Sequence, residues 1–352
     1  MKRFSLILAV VMVLSLVLSA CQPAAATPTT APVKKVKICQ VTDTGGIDDK
    51  SFNATAWKGV QDAMTKLGVD GKYLESKEVA DYEKNLNAFI EEKCDLIVTV
   101  GFLLGDATKA AAEANTDVKF SIVDYSYDPA IPNVVGQIFQ TDEAAFLAGY
   151  LAAGMTKTGK VGTFGGLPIP TVTIFMDGFV RGVKYHNQVK GTTVEVLGYD
   201  LTDANKGLFT NSFDDQTKGK EFGITLMDEG ADIIMPVAGP VGLGTAAAVK
   251  ERGNAWIIGV DSDWFLTASD YADIELTSVL KGMDATTLQV IQSVVDGTYK
   301  GGVNVVGTLA NNGVGLAPYH NLDSQVPAEL KTEIDQLKAD IISGKIKLAD
   351  IK

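Results

Sequence analysis

The feature that most restricts what this chain can fold into is an internal duplication. From Asp95 it reads Asp-Leu-Ile-Val-Thr-Val-Gly101, continues through an Ala-rich stretch led by Gly105, and reaches Lys119-Phe-Ser-Ile-Val-Asp124-Tyr-Ser126. From Asp232, 137 residues on, it reads Asp-Ile-Ile-Met-Pro-Val-Ala-Gly239, an Ala-rich stretch led by Gly244, and Trp256-Ile-Ile-Gly-Val-Asp261-Ser-Asp263. In both copies the closing aspartate lies 29 residues after the opening one. Each copy predicts strand, Gly-rich turn, helix and strand, the unit in which a parallel sheet gathers loops and helix N-termini at the carboxyl ends of its strands. Two units predict two lobes. Facing each other across a cleft, they bring Asp124 and Asp261 into it from opposite sides, the layout of a small-molecule clamp.

The alternation of β-rich runs with Ala-rich amphipathic segments continues along the chain and predicts an α/β fold of two doubly wound parallel-sheet lobes. Expected strands of the first lobe begin at Val36, Gly71, Leu96, Lys119 and Val134; those of the second begin at Lys160, Val194, Ile233, Trp256 and Glu275. Expected helices include Phe52 to Leu67, the largely apolar Asp142 to Ala153, Lys281 to Asp296, and Pro327 to Ser343 with Gly344 as its cap. The domain plan is residues 36–140 plus about 281–305 for the first lobe, 141–280 plus about 306–325 for the second, and 326–352 for a C-terminal helix. Several crossings between lobes make a multi-strand hinge.

Residues 1–21 read as a signal peptide: Lys2 and Arg3 precede the apolar run from Phe4 to Leu18, too short to span a bilayer comfortably. Leu18-Ser-Ala-Cys21 resembles a bacterial lipobox, whose cysteine becomes a diacylated N-terminus. Residues 22–35, rich in Ala, Thr and Pro, read as a flexible tether to that anchor. Without the signal the chain carries 29 basic and 43 acidic residues, net about −14, and shows no basic cluster with interleaved aromatics; nucleic acid is not an expected partner. Cys39 and Cys94 are expected as buried free thiols in or beside strands, a disulfide between them being geometrically demanding. With His186 and His320 as the only histidines, no metal site and no cofactor is expected.

Asp43-Thr-Gly-Gly-Ile-Asp-Asp-Lys-Ser-Phe-Asn53 follows the first strand and opens a helix. Its glycines allow unusual backbone geometry, Ser51 can cap the helix, and Phe52 beside Asn53 offers a flat ligand a stacking face and an amide. Phe52 as a hydrophobic staple and Asn53 as a second cap is the competing role. Asp263 reads as a structural cap. Asp261, matched by Asp124 in the repeat, suits vicinal hydroxyls. Lys281 reads as the first turn of a helix, with Asp261 its expected carboxylate partner.

The stretch Asp43 to Gly59 closely resembles the signature of the basic membrane protein family, lipoprotein receptors of nucleoside ABC importers. The likeness continues through Met176-Asp-Gly-Phe-Val-Arg-Gly182, Asn211-Ser-Phe-Asp-Asp215, Gly259-Val-Asp-Ser-Asp263 and Leu276-Thr-Ser-Val-Leu-Lys281. The resemblance implies a type I periplasmic-binding-protein fold and a purine nucleoside as ligand. It implies Asp43, Asn53 and Asp124 on the base side, Phe52 and Phe213 stacking, and Gly239, Asp261 and Lys281 on the ribose. Two positions depart from the family pattern. Met235 stands where an aromatic is frequent, a softer stacking surface, and Pro240 interrupts the Gly-rich turn with a residue that cannot donate a backbone hydrogen bond.

Gly242-Leu-Gly244-Thr-Ala-Ala247, preceding Asp261, imitates a dinucleotide fingerprint. No acid, base or nucleophile set accompanies it, and neither histidine falls at an expected strand end, so close helix packing is the preferred reading and no enzyme is expected. The expectation is a lipid-anchored, extracytoplasmic, monomeric solute-binding protein that hands a nucleoside to an ABC permease. Its rivals are the same fold with a sugar or flavin, and a secreted enzyme or adhesin.

Overall fold

The computed structural model describes residues 35–203 and 206–352. The expected signal peptide, Cys21 and all but the last residue of the tether lie outside the described residues.

Two six-stranded sheets repeat one topology. The first contains β1 (Lys37–Thr42), β2 (Asp70–Leu74), β3 (Leu96–Val100), β4 (Phe120–Val123) and β5 (Val134–Phe139). The second contains β6 (Lys160–Gly165), β7 (Glu195–Leu197), β8 (Ile233–Val237), β9 (Trp256–Asp261) and β10 (Glu275–Lys281). Their spatial orders, β5-β4-β3-β1-β2 and β10-β9-β8-β6-β7, correspond strand for strand. Each sheet is completed by a strand from the end of the chain. β11 (Val303–Gly307) joins β5 in parallel, and β12 (Val314–Leu316) joins β10 antiparallel. β3 and β8 are buried along their whole length, which explains why they read as continuous apolar runs rather than alternating ones.

Helices cover the sheets: α1 (Phe52–Leu67), α2 (Asp81–Glu91), α3 (Gly105–Ala114), α4 (Thr141–Met155), α5 (Pro170–Lys190), α6 (Gln216–Asp228), α7 (Val241–Arg252), α8 (Trp264–Thr267), α9 (Met283–Val295) and α10 (Ala328–Ile342). α4 is buried on almost every side, as its apolar composition requires, between α5, α10 and the edge of the second sheet. α9 packs on α1, returning the chain to the first lobe. The order of each sheet reverses beside β1 and β6, and the carboxyl ends next to such a switch are where α/β sheets place ligands.

Two expectations are corrected here. Cys39 and Cys94 are not free thiols: they form a disulfide with Cα atoms 6.0 Å apart. β1 and β3 are neighbours, with Cys39 opposite Ile97, so the turn before β3 brings Cys94 within bonding reach. Lys281 ends strand β10 instead of opening α9, because β10 goes on pairing with β9 as far as Leu280 and with β12 through Lys281 opposite Val314.

Candidate functional site

The cleft between the lobes holds about 580 Å³ of empty space, part of it open to solvent. Asp43 follows β1, Gly101 follows β3 and Asp124 follows β4; Gly239 follows β8 and Asp261 ends β9. The repeat extends to backbone conformation. Asp124 and Asp261 both adopt the left-handed region, at φ 68° and 69°, uncommon for residues other than glycine. Gly101 and Gly239 also have positive φ. A Cβ on Gly101 would lie 2.5 Å from a carboxylate oxygen of Asp43, whereas one on Gly239 would meet only the Phe213 carbonyl oxygen at 3.9 Å. Gly101 thus makes room for a protein carboxylate, and Gly239 borders open space.

On the first-lobe side, Asn53 Nδ2 donates to Asp43 Oδ1 at 2.8 Å, and the Gly45 amide donates to the same oxygen at 3.3 Å. That leaves Asn53 Oδ1 buried without a partner. Burial pushes the Asp43 carboxyl up to about 6 against these two hydrogen bonds. Asp49, which sequence reasoning passed over, is 3% exposed and accepts from the amides of Ser51, Asn53 and Ala54 at 2.7–3.0 Å. It, and not Ser51, caps α1; burial still pushes it up to about 7. The Ser51 hydroxyl makes no bond to α1 amides and turns to the other lobe, toward Val260 and Asp261.

Lys281 stands at the floor, its side chain 3% exposed. Its ammonium donates to Asp124 Oδ2 at 2.5 Å, with Asp261 Oδ1 at 3.9 Å, so its closer partner is Asp124 and not the Asp261 anticipated from sequence. The rings of Phe52, Phe139 and Phe175 surround it at 4.9, 5.4 and 5.5 Å. Such contacts offset part of the cost of holding the charge out of water. Burial raises both carboxyls, Asp261 to about 6, and Lys281 opposes the rise in each.

Of the residues singled out from sequence, the cleft gathers Asp43, Phe52, Asn53, Asp124, Phe213, Gly239, Asp261 and Lys281. Met235 is a correction. It is fully buried within β8, one side-chain repeat short of the carboxyl end, and Val237 to Pro240 form the wall there. The sequence reading also missed Phe102, Leu103, Ile169, Val172 and Phe175. The signal available for them was only that they follow β3 and β6, the strands next to each switch.

The imitation of a dinucleotide motif dissolves: a Cβ on Gly244 would lie 1.9 Å from the Gln216 carbonyl oxygen, so this glycine serves the contact of α6 with α7. Asp263 caps α8 through the Phe265 amide, and it also holds His320 at 2.8 Å. His320 is therefore close in space to the β9 end from which sequence had separated it. Among the described residues, no group of three or more His, Cys, Asp and Glu side chains is arranged to hold a metal. Also among the described residues, no helix is long and apolar enough to cross a membrane.

Comparisons with known proteins point one way. The family model described as ABC transporter substrate-binding protein PnrA-like matches residues 35–352. A Lactococcus lactis protein named ABC transporter nucleoside-binding protein BmpA is 32% identical over 98% of both chains. Basic membrane protein A of Borreliella burgdorferi is 32% identical, covering 86% of this chain and 84% of its own. A solved ABC transporter solute-binding protein from Aeropyrum pernix superposes with a TM-score of 0.78 at 28% identity, covering 89% of this chain and 92% of that one.

Proposed function

Because the chain belongs to the PnrA-like family of ABC transporter substrate-binding proteins, we propose that its ligand is a nucleoside, a purine nucleoside by preference, captured by lobe closure and passed to an ABC permease. The family consists of substrate-binding proteins rather than enzymes. The observation that carries the ligand class is Asn53 Oδ1. A buried acceptor without a partner costs about 1–3 kcal/mol, and an N–H from a ligand repays it. Phe52 and Asn53 line the same cleft, which suits a flat ligand bearing its donor on an edge. Across the cleft, Asp261 and the open space beside Gly239 suit vicinal hydroxyls.

Calorimetry with adenosine, guanosine, uridine, ribose and riboflavin, beside mass spectrometry of ligand carried through mild purification, tests this. Micromolar or tighter binding of a purine nucleoside with weak binding of ribose and riboflavin is the expected result; preference for either of the last two overturns the reading. Asp43, Asp124 and Asp261 in one cleft also disfavour phosphate, so nucleosides should bind far better than their monophosphates. The proposal includes a monomer tethered by lipid on Cys21. Cys21→Ser protein should leave the membrane fraction, and its retention there with the wild-type mass shift counts against the anchor.

A further inference from the structure

The loop Asp49–Ser51 of the first lobe is bonded directly to the segment Val260–Ser262 of the second. The single hydroxyl proton of Ser51 is shared between Val260 O at 3.0 Å and Asp261 Oδ2 at 3.2 Å. In the reverse direction the Ser262 hydroxyl donates to Lys50 O at 2.8 Å, and Lys50 itself has φ 60°. Ser51 is 1% exposed and its hydroxyl has no part in capping α1, a task Asp49 performs through the Asn53 and Ala54 amides. A buried hydroxyl released from its own helix and aimed at a carboxylate in the opposite lobe has one evident use.

We propose that Ser51 is a positioning residue for Asp261: from the first lobe it fixes the carboxylate that receives the ligand's hydroxyls, so that this acceptor is complete only when the lobes are shut. The inference rests on the nucleoside reading given above and deepens it. Asp261 is held at one oxygen by Ser51 and approached at the other by Lys281, 3.9 Å away. A carboxylate has about four lone-pair directions, so two such neighbours orient it and still leave acceptor capacity for two hydroxyls. Ser262 does not line the cleft, so its bond to Lys50 adds to closure without touching a ligand.

The two serines therefore have separable signatures. Ser51→Ala should weaken nucleoside binding about ten-fold, the scale of a hydrogen bond to a charged group, while the matching free base, which has no hydroxyls, loses much less. Ser262→Ala should weaken nucleoside and base by the same factor and leave their ratio unchanged. In an Asp261→Ala background the Ser51 substitution should add little. A Ser51→Ala protein that binds nucleoside like the wild type, or loses nucleoside and base equally, overturns the positioning role. Should the wild type itself bind no nucleoside, the ligand reading falls, and hydrogen exchange of the ligand-free protein then decides on Ser51. Exchange across residues 259–263 accelerates in Ser51→Ala if Ser51 holds that segment, and an unchanged rate overturns the proposal.

Discussion

An ammonium as deeply buried as that of Lys281 persists only because Asp124, three aromatic rings and the more distant Asp261 surround it. Removing one member of a buried pair leaves an uncompensated charge and costs about 3–5 kcal/mol, but the two members differ in how they escape. Asp124 can take up a proton, which burial already favours, whereas Lys281 would be left with Asp261 at 3.9 Å. Asp124→Ala should therefore destabilise more than Lys281→Met, and the double variant less than the sum. Equal and additive losses in urea unfolding would contradict this. The carboxyls raised to about 6, Asp43 and Asp261, also set a pH dependence. Their folded-state values exceed the unfolded value of ~3.9, so the folded chain binds more protons in that window. Their contribution to stability is greatest below about 4 and falls as pH rises through 6, and Asp49, at about 7, prolongs the decline. Ligand hydroxyls act the other way. The carboxylates are already desolvated, so donated hydrogen bonds favour the ionised form, and nucleoside binding near pH 6 should release protons. Calorimetry in buffers of different ionisation enthalpy reads the sign, and proton uptake would rule the argument out.

At the scale of elements, the Cys39–Cys94 bridge closes a loop of sequence separation 55 between β1 and the start of β3. For a loop of that length the chain-entropy model gives about 4 kcal/mol, so reduction, or Cys39→Ala with Cys94→Ala, should lower the unfolding free energy by that order. A loss well under 1 kcal/mol would mean the bridge is incidental to the fold. The disulfide also marks where sequence reading stops. Periodicity and turn residues located the helices and strands because these are local properties, and α1 was read from Phe52 to Leu67 as it stands. The pairing of Cys39 with Cys94 depends on β1 lying beside β3, which no local pattern specifies. Met235 shows the same limit within one strand: alternation gives its face, but not how far along that face the cleft begins. Lys281 belongs to a strand because it pairs with Val314 of β12, 33 residues further along the chain, which local spacing does not reveal. Ser51 reads as a cap in the sequence because its partners, Val260 and Asp261, are 209 and 210 residues away. The aspartates were legible for the opposite reason, since the duplication displays Asp124 and Asp261 as equivalents before any coordinates are known.

The whole molecule turns on three crossings: Gln140 between β5 and α4, Gly282 between β10 and α9, and residues 308–313 between β11 and β12. They are tied into one unit. Gln140 N donates to Gly307 O at 2.8 Å and Gly282 N donates to Gly313 O at 2.8 Å, so the third crossing is bonded to both others. Its own ends meet as well: a Cβ on Gly313 would lie 2.3 Å from the Gly307 Cα, a backbone atom that no rotamer change can move aside. Gly313→Ala must then spread this crossing, and spreading it alters the relative orientation of the lobes without touching a cleft residue. If closure is what the change impairs, the competent fraction of the protein falls, and apparent affinity falls by that same fraction for every ligand that needs closure. Nucleoside and free base should weaken together, with their ratio kept, and small-angle scattering at a nucleoside concentration that just saturates the wild type should show a larger radius of gyration for the variant. A variant that loses nucleoside but keeps base, or that weakens neither ligand, would separate the glycine contact from the hinge and leave closure to be carried by the other two crossings.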